Sequence, residues 1–144
     1  MRISTRGFTI VELLIVIVVV AILAAISIVA YNGVQSRSRD GARDSAVSNL
    51  KKALELYNTQ NGAYPIPSGC INAGCLVTSL SSYLVPGTIN TLPNDPGAPS
   101  KNIYYVTDAN GAGYGLRIPY YETKPICRYI SPTGNTGWWS DPFC

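Results

Sequence analysis

The longest feature in the pattern of apolar and polar residues is an apolar run near the start of the chain. Residues 13–26 are all apolar, and the wider segment Phe8–Tyr31 contains only Thr9, Glu12 and Ser27 as polar residues. As a helix, this segment would span about 36 Å, which exceeds the hydrocarbon core of a bilayer at about 30 Å. The pattern therefore predicts a transmembrane helix over residues 8–31.

A helical pattern continues beyond this run. The recurring apolar positions are Val34, Ala42, Ala46, Leu50, Ala53, Leu54 and Tyr57. The opposite, polar face carries Arg43, Lys51, Lys52, Glu55 and Asn58. Asn61-Gly62 favours a left-handed cap, and Pro65 prevents continuation. We predict an amphipathic helix over residues 32–62, hence one nearly continuous helix from Phe8 to Asn61, with Gly33 as its one candidate hinge.

Shorter elements are predicted in residues 63–144, which we expect to form a globular head. The strand-like runs are Ile103–Thr107, Tyr114–Tyr121 and Ile126–Ile130, and a Gly-rich loop over residues 108–113 joins the first two as a hairpin. Ile66–Val77 is predicted to be a loop, Thr78–Leu84 a helical turn, and Leu92–Pro96 a rigid turn in which Asn94 or Asp95 bonds locally. The predicted fold class is α+β, with a long helix packed on a small antiparallel sheet.

Composition and charge exclude some classes of protein. The 144 residues are 47% hydrophobic and 13% charged, which argues against a disordered chain. The net charge is +3, but the basic residues Arg37, Arg39 and Arg43 are interleaved with Asp40 and Asp44. Binding of nucleic acid requires a positive patch, and this pattern does not supply one.

All four cysteines, Cys70, Cys75, Cys127 and Cys144, follow the apolar run, in a region that resembles an exported domain. We favour disulfides between Cys70 and Cys75 and between Cys127 and Cys144, while other connectivities and free thiols stay open. Zinc is the competing interpretation, but the spacings lack the paired short knuckles of zinc sites and the sequence has no His.

Glu12 is unexpected in a membrane-length apolar run. A secretory signal peptide is the simpler interpretation, since Ala24, Ala25 and Ser27 are residues that suit a signal peptidase. A carboxylate in the hydrocarbon, however, costs up to about 3 kcal/mol on insertion scales, and a disposable segment gains nothing from it. An anchor whose Glu12 reaches to the membrane surface is another alternative.

The stretch Gly7-Phe8-Thr9-Ile10-Val11-Glu12-Leu13-Leu14, preceded by a short basic leader, resembles the prepilin signal of type IV pilins and type II secretion pseudopilins. The resemblance implies that a prepilin peptidase removes residues 1–7 by cutting after Gly7 and N-methylates Phe8. It also implies that Glu12 neutralises the terminal ammonium of a neighbouring subunit's Phe8 during assembly. The expected fold is pilin-like, with a disulfide-closed C-terminal loop.

The function implied by this resemblance is that of a structural subunit of a type IV pilus filament, serving adhesion, motility or DNA uptake. Expected partners are further copies and other pilins, the prepilin peptidase, the assembly platform and motor ATPase, and the membrane. The expected location is the cytoplasmic membrane for the precursor and the extracellular pilus after assembly. Two alternatives stay open: a pseudopilin of a type II secretion system, and a single-pass membrane-anchored binding module.

Few other residues suggest chemistry. Asp108 and Asn110 in the hairpin loop offer a weak calcium site, for which an ordinary turn is the alternative. Trp138 and Trp139 are the best candidates for an exposed surface contact. The sequence has no His, leaves no free thiol in the favoured disulfide scheme and has no suitably spaced carboxylate pair, so we expect no enzyme activity and no cofactor.

Overall fold

The computed structural model describes residues 7–144 and divides the chain between Ser36 and Arg37 into two units. Helix α1 (Ile10–Asn61) runs through both. In the first unit its large apolar side chains are exposed, from Ile10 to Val34. By length and composition, α1 can cross a membrane, because it contains a window of mean hydropathy 3.4. Both ends of the predicted helix agree with α1 to within two residues.

The end of α1 follows the predicted capping chemistry. Gly62 adopts a left-handed φ of 76° and its N–H donates to the Asn58 carbonyl at 2.7 Å. This is the bond of an αL cap, and glycine provides it without a steric penalty. Asn61-Gly62 therefore ends the helix as the sequence predicted.

The second unit holds a four-stranded antiparallel sheet in the order β1–β2–β3–β4. Its strands are β1 (Cys75–Leu76), β2 (Tyr104–Thr107), β3 (Tyr114–Ile118) and β4 (Cys127–Ile130). A 3₁₀ turn (Val77–Leu80) and the short helix α2 (Ser81–Leu84) connect β1 to the following loop. The predicted strands are present, but β3 ends three residues earlier than expected, and β1 lies in a segment predicted to be loop.

The core lies between the second part of α1 and one face of the sheet. Its buried apolar residues include Ala46, Leu50, Ala53, Leu54, Leu80, Leu84, Tyr105, Tyr114 and Leu116. The Tyr64 and Tyr114 hydroxyls both donate to the Glu55 carboxylate, at 2.9 and 3.3 Å. These bonds satisfy the polar tips of the two tyrosines, whose rings meet edge to face at a centroid distance of 4.7 Å.

Two predictions about the polar and apolar faces of α1 are wrong. Arg43, assigned to the polar face, is fully buried, and Asp40 beside it is only 1% exposed. Val34 and Ala42, both assigned to the apolar stripe, are exposed. Arg43 lies three residues before Ala46 and seven before Leu50, so helical periodicity places it on the buried face, and only its charge suggested the polar face. Three carboxylates balance that charge, as described below.

Both favoured disulfides are present in the structure. Cys70 bonds to Cys75, and Cys127 bonds to Cys144. The second closes a C-terminal segment onto β4, where Arg128 forms an isolated parallel bridge with Phe143. The sheet is thereby extended at its β4 edge by the last residues of the chain.

Candidate functional site

The N-terminal segment presents the predicted processing site ahead of α1. Gly7 and Phe8 precede the helix, and Phe8 is 87% exposed. The predicted leader lies, apart from Gly7, outside the described residues. The Gly7–Phe8 bond is therefore not buried against the rest of the described chain.

Thr9 and Glu12 cap the start of α1 reciprocally. The Thr9 backbone N–H and hydroxyl donate to Glu12 Oε2 at 2.8 and 2.7 Å, and the Glu12 N–H donates to Thr9 Oγ1 at 3.2 Å. This is a capping box, in which a Thr at the N-cap and a Glu three residues later satisfy donors that the first turn leaves free. Sequence reasoning missed it, although the Thr-x-x-Glu spacing is a recognisable local pattern. Glu12 therefore has a role within its own chain.

A buried ionic cluster around Arg43 ties α1 to two loops of the second unit. Arg43 Nε donates to Asp95 Oδ2 at 2.8 Å, and Nη2 donates to Asp95 Oδ1 at 3.2 Å. Arg43 Nη1 donates to Asp40 Oδ1 at 2.8 Å, and Glu122 Oε1 lies 3.4 Å away. Because Asp95 belongs to the turn over residues 92–96 and Glu122 to the β3–β4 connection, one guanidinium fixes both loops to the helix.

Asp40 receives a second set of donors from the β3–β4 connection. Thr123 donates through its hydroxyl at 2.6 Å and its backbone N–H at 2.7 Å, and the Glu122 N–H donates at 3.0 Å. Burial alone would raise the pKa of Asp40, but the bonds from Thr123, Glu122 and Arg43 outweigh it and lower the pKa to about 2. Asp40 is thus a buried, charged residue that joins α1 to the β3–β4 connection, and it is not a surface partner of Arg37 and Arg39. We call this set of bonds the Asp40 clamp.

Acid is expected to weaken this clamp. The pKa of Asp40 is lowered from 3.8 to about 2, so its contribution is complete above about pH 4 and is lost as the pH falls towards 2. That loss corresponds to about 2 kcal/mol of unfolding free energy. Urea unfolding of the full chain in detergent at several pH values measures it. Asp40→Asn should flatten the profile between pH 4 and 2, whereas the exposed Asp44→Asn should keep most of the slope; equal slopes in wild type and Asp40→Asn would contradict the assignment.

Asp108 organises the hairpin loop through backbone donors. Its Oδ1 accepts from the N–H groups of Asn110 and Ala112, each at 2.9 Å, and its Oδ2 accepts from Gly113 at 3.1 Å. Both oxygens of the carboxylate therefore close the turn. Among residues 7–144, no group of three His, Cys, Asp or Glu side chains is arranged to hold a metal ion.

Trp138 and Trp139 lie half-buried over the sheet face that points away from α1. A Cβ added to Gly115 would meet Trp139 at 3.1 Å and Trp138 at 3.2 Å, so the two indoles cover this glycine closely. The Trp138 indole N–H donates to Asn72 Oδ1 at 2.9 Å. The tryptophans thus join the C-terminal loop to β3 and to the loop of the Cys70–Cys75 disulfide, with part of each ring left at the surface.

The predicted site residues accordingly fall into separate regions. Gly7, Phe8 and Glu12 stand together at the start of α1, whereas the disulfides, the tryptophans and Asp108 belong to the second unit. Sequence reasoning missed Asp95 and Glu122 as partners of Arg43, because their sequence separations of 52 and 79 residues leave no local pattern.

Comparisons with known proteins agree with the N-terminal pattern. Residues 2–28 match the family model described as the prokaryotic N-terminal methylation motif. The chain is 33% identical to the type II secretion system core protein G of Klebsiella michiganensis, over 66% of this chain and 70% of that protein. It is 29% identical to the type IV major fimbrial protein FimA of Dichelobacter nodosus, over 80% of this chain and 74% of FimA. No solved structure matches the chain significantly.

The similarity extends well past the methylation motif. The chain spans about two thirds of the core protein G relatives, for example 66% of the one from Escherichia coli, to which it is 30% identical. The fold agrees with these relationships, since a long apolar N-terminal helix, a small antiparallel sheet and a C-terminal disulfide occur together. The chain therefore belongs to the family of type IV pilins and type II secretion pseudopilins.

Proposed function

We propose that this protein is a structural subunit of a type IV pilus. In this proposal a prepilin peptidase cuts after Gly7 and N-methylates Phe8, and the subunits then polymerise through the helix over residues 8–31. The observation that carries the proposal is this apolar helix, whose large side chains are exposed and which bears a single carboxylate in its first turn. An exposed apolar surface of this length requires a membrane or other helices as its surroundings.

Charge pairing supplies a reason for an ordered assembly. Cutting after Gly7 creates a positive amino group at Phe8, four residues before Glu12. In a dry bundle of helices, an ammonium and a carboxylate are each poorly solvated alone, so pairing across two subunits favours one axial offset over others. The capping bonds from Thr9 all reach Oε2 of Glu12, and they hold the carboxylate at the N-terminal end of the helix.

The remaining partners and roles follow from the same proposal. The subunit is inserted in the cytoplasmic membrane as a single-pass precursor and becomes part of an extracellular fibre with other pilins. The assembly platform and motor ATPase act on it, and the fibre serves adhesion, motility or DNA uptake. The subunit itself is a substrate of the peptidase and has no catalytic role.

A pseudopilin of a type II secretion system is the second candidate, and the relatives named core protein G favour it. Two features support the pilus instead: the C-terminal segment is closed onto β4 by the Cys127–Cys144 bond, and the alignment with the fimbrial protein FimA covers 80% of this chain. A closed C-terminal end suits a fibre exposed outside the cell, where a loose end is open to proteolysis.

The location of the mature protein separates the two candidates. Surface fibres are sheared from cells, and the protein is quantified in the sheared and membrane fractions with an antibody against the second unit. A pilus subunit is expected mainly in the sheared fraction at native expression. Recovery of the protein in the membrane fraction alone would contradict the pilus proposal and favour the pseudopilin or a membrane-anchored binding module.

A further inference from the structure

Arg128 on β4 is a buried cation that the proposed function does not use. It is 9% exposed, and its Nε and Nη1 atoms have no hydrogen-bond partner among residues 7–144. Buried guanidinium groups are otherwise paired, because removing their donors from water without replacement is strongly unfavourable. An acceptor for Arg128 is therefore missing from the described chain.

The residue opposite Arg128 is a second arginine, which increases the need for negative charge on this face of the sheet. The register of β3 and β4 pairs Arg117 with Arg128, so both side chains lie on the sheet face away from α1. Like charges directly opposite each other destabilise a sheet. Arg117 has Asp141 as its partner and engages both of its oxygens, through Nε to Oδ2 and through Nη2 to Oδ1 at 3.3 Å.

The ionic cluster of Arg43 provides an internal contrast. There, three carboxylates surround one fully buried guanidinium. On the outer face of the sheet, Asp141 is bonded to Arg117, while Nε and Nη1 of Arg128 have no acceptor among residues 7–144. The Nε, Nη1 and Nη2 atoms of Arg43 thus all have carboxylate acceptors, whereas Nε and Nη1 of Arg128 have none in the part of the chain that the structure describes.

Phe143 covers the guanidinium of Arg128. The guanidinium carbon lies 4.7 Å from the centroid of the ring, which offers a cation–π contact but no in-plane acceptor for the N–H groups. The backbone of this segment is fixed, since Arg128 N–H donates to the Pro142 carbonyl and Cys144 N–H to the Arg128 carbonyl, each at 2.9 Å. Phe143 itself is 59% exposed, which leaves its side chain room to rotate without breaking the backbone bonds of the strand.

We propose that Arg128 is the recognition residue of an oxyanion site beneath Phe143, which takes a carboxylate or phosphate group. A planar guanidinium matches oxyanions in both charge and donor geometry. Two sources present this chemistry: a free anion, or an acidic side chain of a second copy of this chain in a filament. The second source rests on the proposed function, whereas the first does not.

Binding of inorganic phosphate by the full-length chain in detergent micelles tests the site. Thermal unfolding is followed while phosphate replaces chloride at constant ionic strength. The variants are Arg128→Met and, as a control with the same loss of charge, Arg37→Met, since Arg37 is an exposed residue of α1. At a tenfold excess over its Kd, phosphate should raise the midpoint of wild type and Arg37→Met by about 5 °C and leave Arg128→Met unchanged.

The variant also has an expected behaviour without phosphate. In chloride alone, Arg128→Met should unfold at or above the wild-type temperature, because it removes an uncompensated buried charge. A midpoint several degrees below wild type would show that Arg128 already has its partner within the chain, and would overturn the proposal.

Filament assembly distinguishes the two sources. If a neighbouring subunit supplies the carboxylate, Arg128→Met should reduce sheared filament mass at least tenfold while Arg37→Met assembles as wild type. A phosphate effect without an assembly effect supports the free anion, and an assembly effect alone supports the neighbouring carboxylate. The absence of both effects overturns the site. If wild type forms no filaments, the proposed function is wrong. The oxyanion site is then tested by the effect of phosphate on thermal unfolding alone.

Discussion

Glu12→Gln subunits are expected to be processed normally but to fail to assemble. Glutamine three residues after the N-cap still accepts the bonds from Thr9, so the capping box is preserved. The charge that would pair with the Phe8 ammonium of the neighbouring subunit is lost. In a poorly solvated bundle, the remaining unpaired ammonium opposes packing, and we expect filament yield to fall more than tenfold.

Thr9→Ala is the matched variant for this experiment. It removes the side-chain half of the capping box, at about 1 kcal/mol, and keeps the Glu12 charge. Assembly from Thr9→Ala subunits should therefore be reduced only modestly. Filament mass in sheared fractions, normalised to membrane precursor, measures both variants. Normal filaments from Glu12→Gln, together with a loss in Thr9→Ala, would show that Glu12 acts as a helix cap and not as a charge.

Arg43→Ala is expected to cause a large loss of stability in the second unit. It leaves Asp40 and Asp95 as buried carboxylates without their shared cation. Breaking a buried ion pair in this way costs about 3–5 kcal/mol. Since the free energy of unfolding of a domain is only about 5–15 kcal/mol, this substitution removes a large fraction of the stability of the second unit.

Urea unfolding of the full chain in detergent, followed by tryptophan fluorescence, measures the effect of Arg43→Ala. Arg37→Ala, an exposed position six residues earlier on the same helix, is the control and should change stability by less than about 0.5 kcal/mol. A double-mutant cycle with Asp95→Ala should give a coupling of about 1–3 kcal/mol. A loss below about 1 kcal/mol for Arg43→Ala would mean that water or another donor replaces the guanidinium.

The sequence predicted elements whose information is local. The long helix, its Gly62 cap and the three main strands follow from periodicity and turn residues within a few positions. Both favoured disulfides are present, and they join cysteines that are only 5 and 17 residues apart in the sequence. The Thr9–Glu12 capping box was equally local, and it was missed because Glu12 was considered only as a membrane charge.

The features that the sequence did not predict depend on contacts between distant segments. Arg43 shares the helical phase of Ala46 and Leu50, but the carboxylates that balance its buried charge include Asp95 and Glu122, far along the chain. The two-residue strand β1 forms only because β2 provides a partner. Trp138 and Trp139 cover Gly115 because the C-terminal segment folds back over the sheet, a path that no short pattern encodes.

The most direct test of the proposed processing and assembly is mass spectrometry of the N-terminal peptide of this protein, isolated from sheared surface material. A pilus subunit should begin at N-methylated Phe8, because the peptidase must free the amino group that Glu12 is proposed to neutralise. A protein that still begins at Met1, or one cut near Ser27, would contradict the proposed processing and return the chain to an anchored or secreted module.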